Sequence, residues 1–509
     1  MKQRKVTTML MAAVMAGTLL LGTGAAAEGK DSVVISVGGD PTTLAPNGQS
    51  GDGWTYAQIY DQLWNLSGSE LTMRLATGYE AEDETHYVIT IQPGIKDTAG
   101  NEIKAADVLF SIGLAKNGTA GYPGATRYVD VENCEVIDDT TLRVALTQPC
   151  SFQMNALSMV NIVTQASYEA SEDGMVTTPV GSGPYMLEEY VTGSHITMTA
   201  NPDYWDGQPE AINKVTVNFV QEASQRANVA LTGESDFSYC VSYMDSQALE
   251  DAENLVFSHD TSLNSTVMIF NNYETSPFSG NLDLRKAVAY ATNNEAIIAT
   301  AVGGFGEVSV SCTSPNFSDY NESYAEISAE TGNYAYNMEK AKEHLAASGV
   351  AEGTTLRLLI GNQVGFDVAG QVIQAGLAEL GLNMELLYYP DTQNVVASNQ
   401  PEDWDFALWS WTNYPAQSGL ATLNTFIVAS DYTHLPEAEQ EVIATDVANA
   451  MAAPEDGVAA AMDVLMTDMY EQIPVYGLFD ECRLNAYNAD LNVVFKCQDY
   501  PLINKWTWK

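Results

Sequence analysis

Between residues 355 and 389 the chain runs strand, helix, strand with short connections, and this limits the fold more than any other feature. Thr355 to Ile360 (TLRLLI) has the apolar, β-compatible character of a strand. Ala369, Val372, Ile373, Gly376, Leu377 and Leu380 then trace one helical face, closed by Gly381 at the expected cap position. Asn383 to Tyr389 is the next strand. Strand, helix, strand at this spacing predicts a parallel pair with a right-handed crossover, and hence an α/β sheet.

Other segments agree with mixed α and β structure. Val33 to Val37 reads as a strand ended by the break Gly38-Gly39-Asp40-Pro41, and His86 to Gln92 as another stopped by Pro93-Gly94. Asp107 to Ala115 predicts a helix with Val108, Ser111, Ile112 and Ala115 on one face. Glu135 to Asp138 and Thr141 to Leu146 flank Asp138-Asp139 as a hairpin. Asp283 is the expected cap of a helix carrying Leu284, Ala287, Val288 and Ala291. No internal repeat is present, which excludes a solenoid.

The first residues set the compartment. Lys2, Arg4 and Lys5 precede a mostly apolar run from Met9 to Leu21, and Ala25-Ala26-Ala27 supplies the small residues of a cleavage site before Glu28. The run is short for a membrane span of ~20 residues, so a cleaved export signal is expected over 1–27. The first cysteine is Cys134, so no lipoprotein attachment site follows the apolar core. The expected product is soluble, in the periplasm or cell envelope.

Charge excludes whole classes of partner. The 509 residues hold 66 acidic and 21 basic side chains, a formal net charge of −45. Phosphate binding draws most of its affinity from Lys and Arg, so nucleic acid and anionic membrane surfaces are disfavoured. Hydrophobic residues make up 46% of the chain, enough for a packed core rather than disorder.

Catalytic motifs are missing. The sequence has no HExxH, no P-loop and no dinucleotide-binding GxGxxG. Ser182, in Gly181-Ser182-Gly183, reads as part of a turn feeding a strand, because no histidine lies in a partner motif. Glu82-Asp83-Glu84 reads as solvated surface, since no calcium-loop pattern surrounds it. The six cysteines contain no CxxC and the five histidines are scattered, so neither a metal site nor a cofactor is expected. A secreted glycosidase remains the competing class, because 66 acids offer many carboxylate pairs.

Five segments in chain order carry a stronger signal. They are Tyr87 to Lys96 (YVITIQPGIK) with Ala105 to Ile112 (AADVLFSI), and Pro179 to Tyr185 (PVGSGPY) with Asn201 to Trp205 (NPDYW). Next come Phe270-Asn271-Asn272 with Pro277-Phe278 and Leu284 to Val288 (LRKAV). Last are Tyr336 to Leu345 (YNMEKAKEHL) with Gly349, and Trp404 to Trp411 (WDFALWSW). Together they resemble the bacterial extracellular solute-binding proteins of the peptide and nickel type (family 5), which feed ABC importers. Read alone, Gly94, Gly181 and Gly183 are turn residues and Arg285 is an exposed helix start.

The resemblance implies a bilobal periplasmic-binding-protein fold (type II) with an extra inserted domain, and a monomer that works with a membrane permease. Its boundaries are a first lobe over 28–57, 181–262 and 481–509, an inserted domain over 58–180, and a second lobe over 263–480. The implied activity is non-enzymatic capture of a peptide or peptide-like solute between the lobes. The alternatives are a sugar or a metal chelate and, outside the class, the hydrolase or a cell-surface interaction protein. Trp409 and Trp411 lie two apart on a strand, share a face, and are expected as apolar walls of the cleft, the other reading being core. Thr412, Asn413 and Tyr414 follow them, while Gly39, Asp40 and Trp54 are the candidates from the first lobe.

Two departures from the family pattern bear on chemistry. Lys104 stands where the helix beginning at Ala105 would take a Ser or Thr cap, a loss of ~1 kcal/mol if nothing replaces it. Peptide binders of the family also place an Asp shortly after the last tryptophan, to pair with the peptide's α-ammonium, whereas here Thr412 and Asn413 supply no charge. Finally, Cys482 and Cys497 are spaced evenly about the turn-prone Asn488-Ala489-Asp490, which predicts a hairpin closed by a disulfide.

Overall fold

Apolar residues at alternate positions build one large sheet from distant parts of the chain. In the computed structural model, residues 30–41, 43–47, 58–117, 123–331, 334–389, 400–412, 416–497 and 500–509 are described. The export signal predicted over 1–27 lies outside them.

The first strands of the sheet are β1 (Ser32–Val37), β2 (Tyr185–Val191), β3 (His195–Ala200), β4 (Lys214–Phe219) and β5 (Phe237–Ser238). Then come β6 (Leu255–Phe270), β7 (Gly306–Val308), β8 (Thr355–Ile360), β9 (Asn383–Tyr388), β10 (Phe406–Trp411) and β11 (Val475–Asn488). The order across the sheet is β9-β8-β10-β6-β11-β5-β1-β4-β3-β2, with β7 added to β11. The predicted strand, helix, strand unit is present as β8, a helix over Phe366–Glu379 and β9, paired in parallel from Thr355–Asn383 to Ile360–Tyr388. Gly381 ends it at φ +80°, a left-handed turn that a side chain would strain.

Two long antiparallel strands join the halves of this sheet. Residues Leu255–Thr261 of β6 pair with Cys482–Asn488 of β11, on the side that continues into β5 and β1. Residues Ser265–Ile269 pair with Val475–Asp480, on the side that continues into β10 and β8. Between Thr261 and Ser265 the register shifts, leaving Ser262, Leu263 and Asn264 outside the ladder.

Beyond the crossing, the two faces of the sheet bury different residues because side chains alternate. Phe406, Leu408, Met268 and Phe270 face a core with the helices Leu282–Ala291 and Phe366–Glu379. Ala407, Trp409, Trp411, Val267 and Ile269 face the opposite core, with the helices Glu437–Ala452 and Val458–Gln472. Before the crossing, Val33, Ile35, Val37, Val215, Val217 and Trp506 form a third core.

A separate four-stranded sheet holds Ala76–Ala81, His86–Ile91, Thr141–Ala145 and Glu135–Asp138 in that order. The hairpin expected around Asp138-Asp139 forms, with Asp138 opposite Thr141. The helix Ala105–Asn117 buries Ala105, Val108, Ser111, Ile112 and Ala115, the predicted face plus one turn. Its missing cap is offset: Asp107 accepts the Lys104 backbone N–H at 2.8 Å, one half of a capping box.

Three expectations are corrected. Asn281 caps the helix Leu282–Ala291, accepting from the Leu284 N–H at 3.1 Å, because it and not Asp283 occupies the last non-helical position. Arg285 is fully buried rather than exposed: its guanidinium pairs with Glu439 at 2.6 Å and donates to Asn272 and, at 3.0 Å, to the Gln472 carbonyl. The hairpin between Cys482 and Cys497 does not form. Both edges of β11 are occupied by β6, β5 and β7, so Leu491–Asn492 pairs with Thr507–Trp508 instead, and Phe495–Cys497 with Tyr500–Pro501. Cys482 stands opposite Thr261 and is a free thiol.

Candidate functional site

Where β10 ends and the register between β6 and β11 breaks, the sheet carries a buried carboxylate. In open α/β sheets, ligands bind outside the carboxyl ends of the strands where the strand order reverses. Here β10 ends at Trp411, opposite Ser265 of β6, and Ser265 in turn stands opposite Asp480 of β11. Directly opposed residues point to the same face, so Trp411, Ser265 and Asp480 form one row, the last before the ladder breaks. The next residue, Thr412, donates its hydroxyl at 2.8 Å to the carbonyl of Leu263 in the unpaired stretch.

Asp480 sits in this row with little solvent contact, 5% exposed. Its Oδ1 accepts the hydroxyls of Ser265 at 2.6 Å and Ser309 at 3.0 Å. Among the described residues it forms no ion pair, and Oδ2 accepts no hydrogen bond. Burial outweighs the two hydroxyls and pushes the carboxyl up to about 7. Sequence reasoning missed this residue, since nothing local marks it among 66 acids.

The tryptophans share a face as predicted, but both are buried, Trp409 to 4% and Trp411 to 1% exposure. Trp411 donates its indole N–H to the Cys312 carbonyl at 2.5 Å and stacks on Phe426 at 5.3 Å between centroids. Trp409 stacks on Tyr432 at 5.5 Å, and its indole N–H has no partner. Phe426 and Tyr432 pack on these rings, so both are core side chains and neither is an open wall.

Of the first-lobe candidates, Gly39 and Asp40 lie in the loop after β1. Asp40 accepts the Tyr190 hydroxyl at 2.6 Å and the Gly193 N–H at 2.5 Å, which ties that loop to the turn between β2 and β3. Trp54, Asn413 and Tyr414 lie outside the described residues.

Ser182 proves to be a packing residue. Its hydroxyl donates to Asp61 at 3.2 Å, and Trp205 donates to the same carboxylate at 2.7 Å, with Arg74 3.4 Å away. A Cβ on Gly181 would lie 2.1 Å from the Ile59 carbonyl oxygen, and one on Gly183 2.6 Å from that of Gln58. The PVGSGPY and NPDYW segments thus hold residues 58–61 in place, and glycine is required by close approach. A cavity of about 80 Å³ is lined by Ser309, Cys312, Tyr334, Met466, Tyr470 and Gly477. That is well below the ~300 Å³ at which solute pockets begin.

The region around the small sheet also touches residues 424–451 directly. Ser151 donates to the carbonyls of Met451 at 2.9 Å and Ala450 at 3.1 Å, and Asn424 donates to the Tyr128 hydroxyl at 2.6 Å. No helix of the described residues is long and apolar enough to cross a membrane.

Two α/β halves joined by a pair of crossing strands, with a separate small sheet folded against the larger half, define a bilobal binding-protein architecture. The model of the bacterial extracellular solute-binding proteins, family 5 (middle region), matches residues 70–428. The chain belongs to this family, whose members are the substrate-binding components of ABC importers. It is 27% identical over 363 residues to the glutathione-binding protein GsiB of Salmonella typhi, a match spanning 70% of this chain and 69% of that one. Among solved structures, the ABC transporter substrate-binding protein CtaP of Listeria monocytogenes superposes with a TM-score of 0.81 at 19% identity, covering 94% of this chain and 100% of the other. The periplasmic binding protein DppA of Helicobacter pylori, in complex with the peptide STSA, gives 0.74 at 20% identity, covering 94% and 98%.

Proposed function

We propose that this protein captures peptides or peptide-like solutes between its lobes, without chemical turnover, and passes them to a membrane permease. The crossing of β6 and β11 carries the reading. A two-strand connection with a broken register lets two lobes move as bodies, and closure then encloses what lies between them. The register shift between Thr261 and Ser265 supports a lobe boundary at 262/263, and the exchange of partners along β11 supports one near 480/481. The separate four-stranded sheet supports an inserted domain within 58–180. A relative named for glutathione binding, matched over 70% of this chain, supports a peptide-like solute.

The test is mass spectrometry of whatever co-purifies with the exported protein, followed by small-angle scattering with and without it. Binding stabilises the closed form, so the molecule compacts. A co-purified sugar, or scattering unchanged at saturation, refutes the proposal.

A further inference from the structure

We infer that Asp446 and Asp468 share one proton across the helical hairpin of residues 437–472, and so form a pH-sensitive clip that holds its two helices together. Contact is the first argument. Asp446 lies on the helix Glu437–Ala452 and Asp468 on the helix Val458–Gln472, which pack on one another, and the two carboxyls are within hydrogen-bond reach. Two carboxylates so placed repel, whereas a carboxylic acid donates its O–H to a carboxylate.

Satisfaction is the second argument. Asp446 is 9% exposed, and its Oδ2 receives no hydrogen bond from any described N–H or hydroxyl. A buried acceptor without a donor is costly, and the Asp468 carboxyl is what faces it.

The surroundings supply no other neutraliser. Between Arg357 and Arg483 the sequence has no Lys or Arg, and its one histidine, His434, bonds to Asn271. The helix Gly419–Leu423 and the turn Asn424–Ala429, which also pack on Glu437–Ala452, carry no titratable side chain. On the hairpin itself Glu439 pairs with Arg285, Asp463 accepts from Asn321 and Ser323, and Tyr470 donates to the Val310 carbonyl. Its remaining acids, Glu437, Glu441, Glu455, Asp456 and Glu471, are exposed. The helix Tyr324–Thr331, packed on Val458–Gln472, brings only Tyr324 and the exposed Glu326 and Glu330. From the small-sheet region, Tyr79 lies near Glu455. A proton is therefore what can join the pair, and burial with the facing Asp468 pushes Asp446 up to about 6.

The clip lies one turn before the hairpin's tip, where the carbonyls of Ala450 and Met451 receive Ser151. Between 3.8 and about 6 the closed hairpin keeps a proton that an opened one releases, so the clip is lost as pH rises through about 6. The helices then part more readily, and the contact with Ser151 loosens.

The experiment is amide hydrogen exchange of the full chain from pH 4.5 to pH 7.5, read by mass spectrometry and corrected for the intrinsic pH dependence of exchange. In wild type, protection of the 437–472 peptides is expected to be about 20-fold lower at pH 7.5 than at pH 4.5, relative to peptides from the helix Phe366–Glu379. Asp468→Asn and, separately, Asp446→Asn put an amide N–H donor opposite the remaining carboxylate at every pH, so each should abolish that loss. Protection of the hairpin that does not change with pH, or a loss equal in the helix Phe366–Glu379, overturns the inference from wild type alone. A loss of undiminished size in either folded Asn variant overturns it as well.

Discussion

Replacing Asp480 by Asn should make the empty protein more stable at pH 8 while leaving it little changed at pH 4. The folded carboxyl titrates at about 7, against 3.8 when exposed, because burial disfavours its charged form. Between those values the folded state holds a proton that the unfolded state has released. Stability therefore rises as pH falls from about 8 toward 4, and is lost as pH rises through about 7. Roughly three units at ~1.4 kcal/mol each set a ceiling of ~4 kcal/mol for the penalty carried by wild type at pH 8. Asn keeps an oxygen for the Ser265 and Ser309 hydroxyls and removes the charge, so about 2–4 kcal/mol of that penalty should be recovered. Urea unfolding of both proteins at pH 5 and pH 8 measures it, because the difference between the two cancels every other titrating group. The wild-type curve should move to lower urea between the two pH values by more than that of the variant. Parallel curves, with a gap independent of pH, would refute the reasoning.

Other outcomes follow from the same contacts. Gly181→Ala forces a Cβ to within 2.1 Å of the Ile59 carbonyl and should cost about 3 kcal/mol or more, seen as a lowered urea midpoint. Trp411→Phe should destabilise more than Trp409→Phe by about 1 kcal/mol, since only Trp411 has a hydrogen-bonded indole N–H; equal thermal shifts would contradict this. Glu439→Gln leaves the buried Arg285 without its countercharge and should cost about 3 kcal/mol, read by denaturant titration. Cys482 should be recovered as a free thiol in non-reducing peptide maps and alkylate slowly at pH 8, because burial pushes its titration up to about 11.

Sequence alone determined what depends on local chemistry and short spacing. The unit over 355–388 was legible because helical and strand periods change at clear boundaries and Gly381 marks the cap. The helix face of Val108, Ser111, Ile112 and Ala115 and the hairpin at Asp138 were legible for the same reason. Family membership was legible because motif order survives where overall identity has fallen to 27%. That Trp409 and Trp411 share a face follows from strand geometry, but what covers the face does not. Only the tertiary structure placed Phe426 and Tyr432 on those rings, and Glu439 against Arg285. It also decided the partners of β11, because a strand pairs with whichever edge is free, and the edges of β11 were filled by segments more than 100 residues away. Asp480 belongs to the same class. Its proton affinity comes from burial among residues 265, 307, 309 and 312, and burial is a property of the folded neighbourhood that no single stretch of sequence contains.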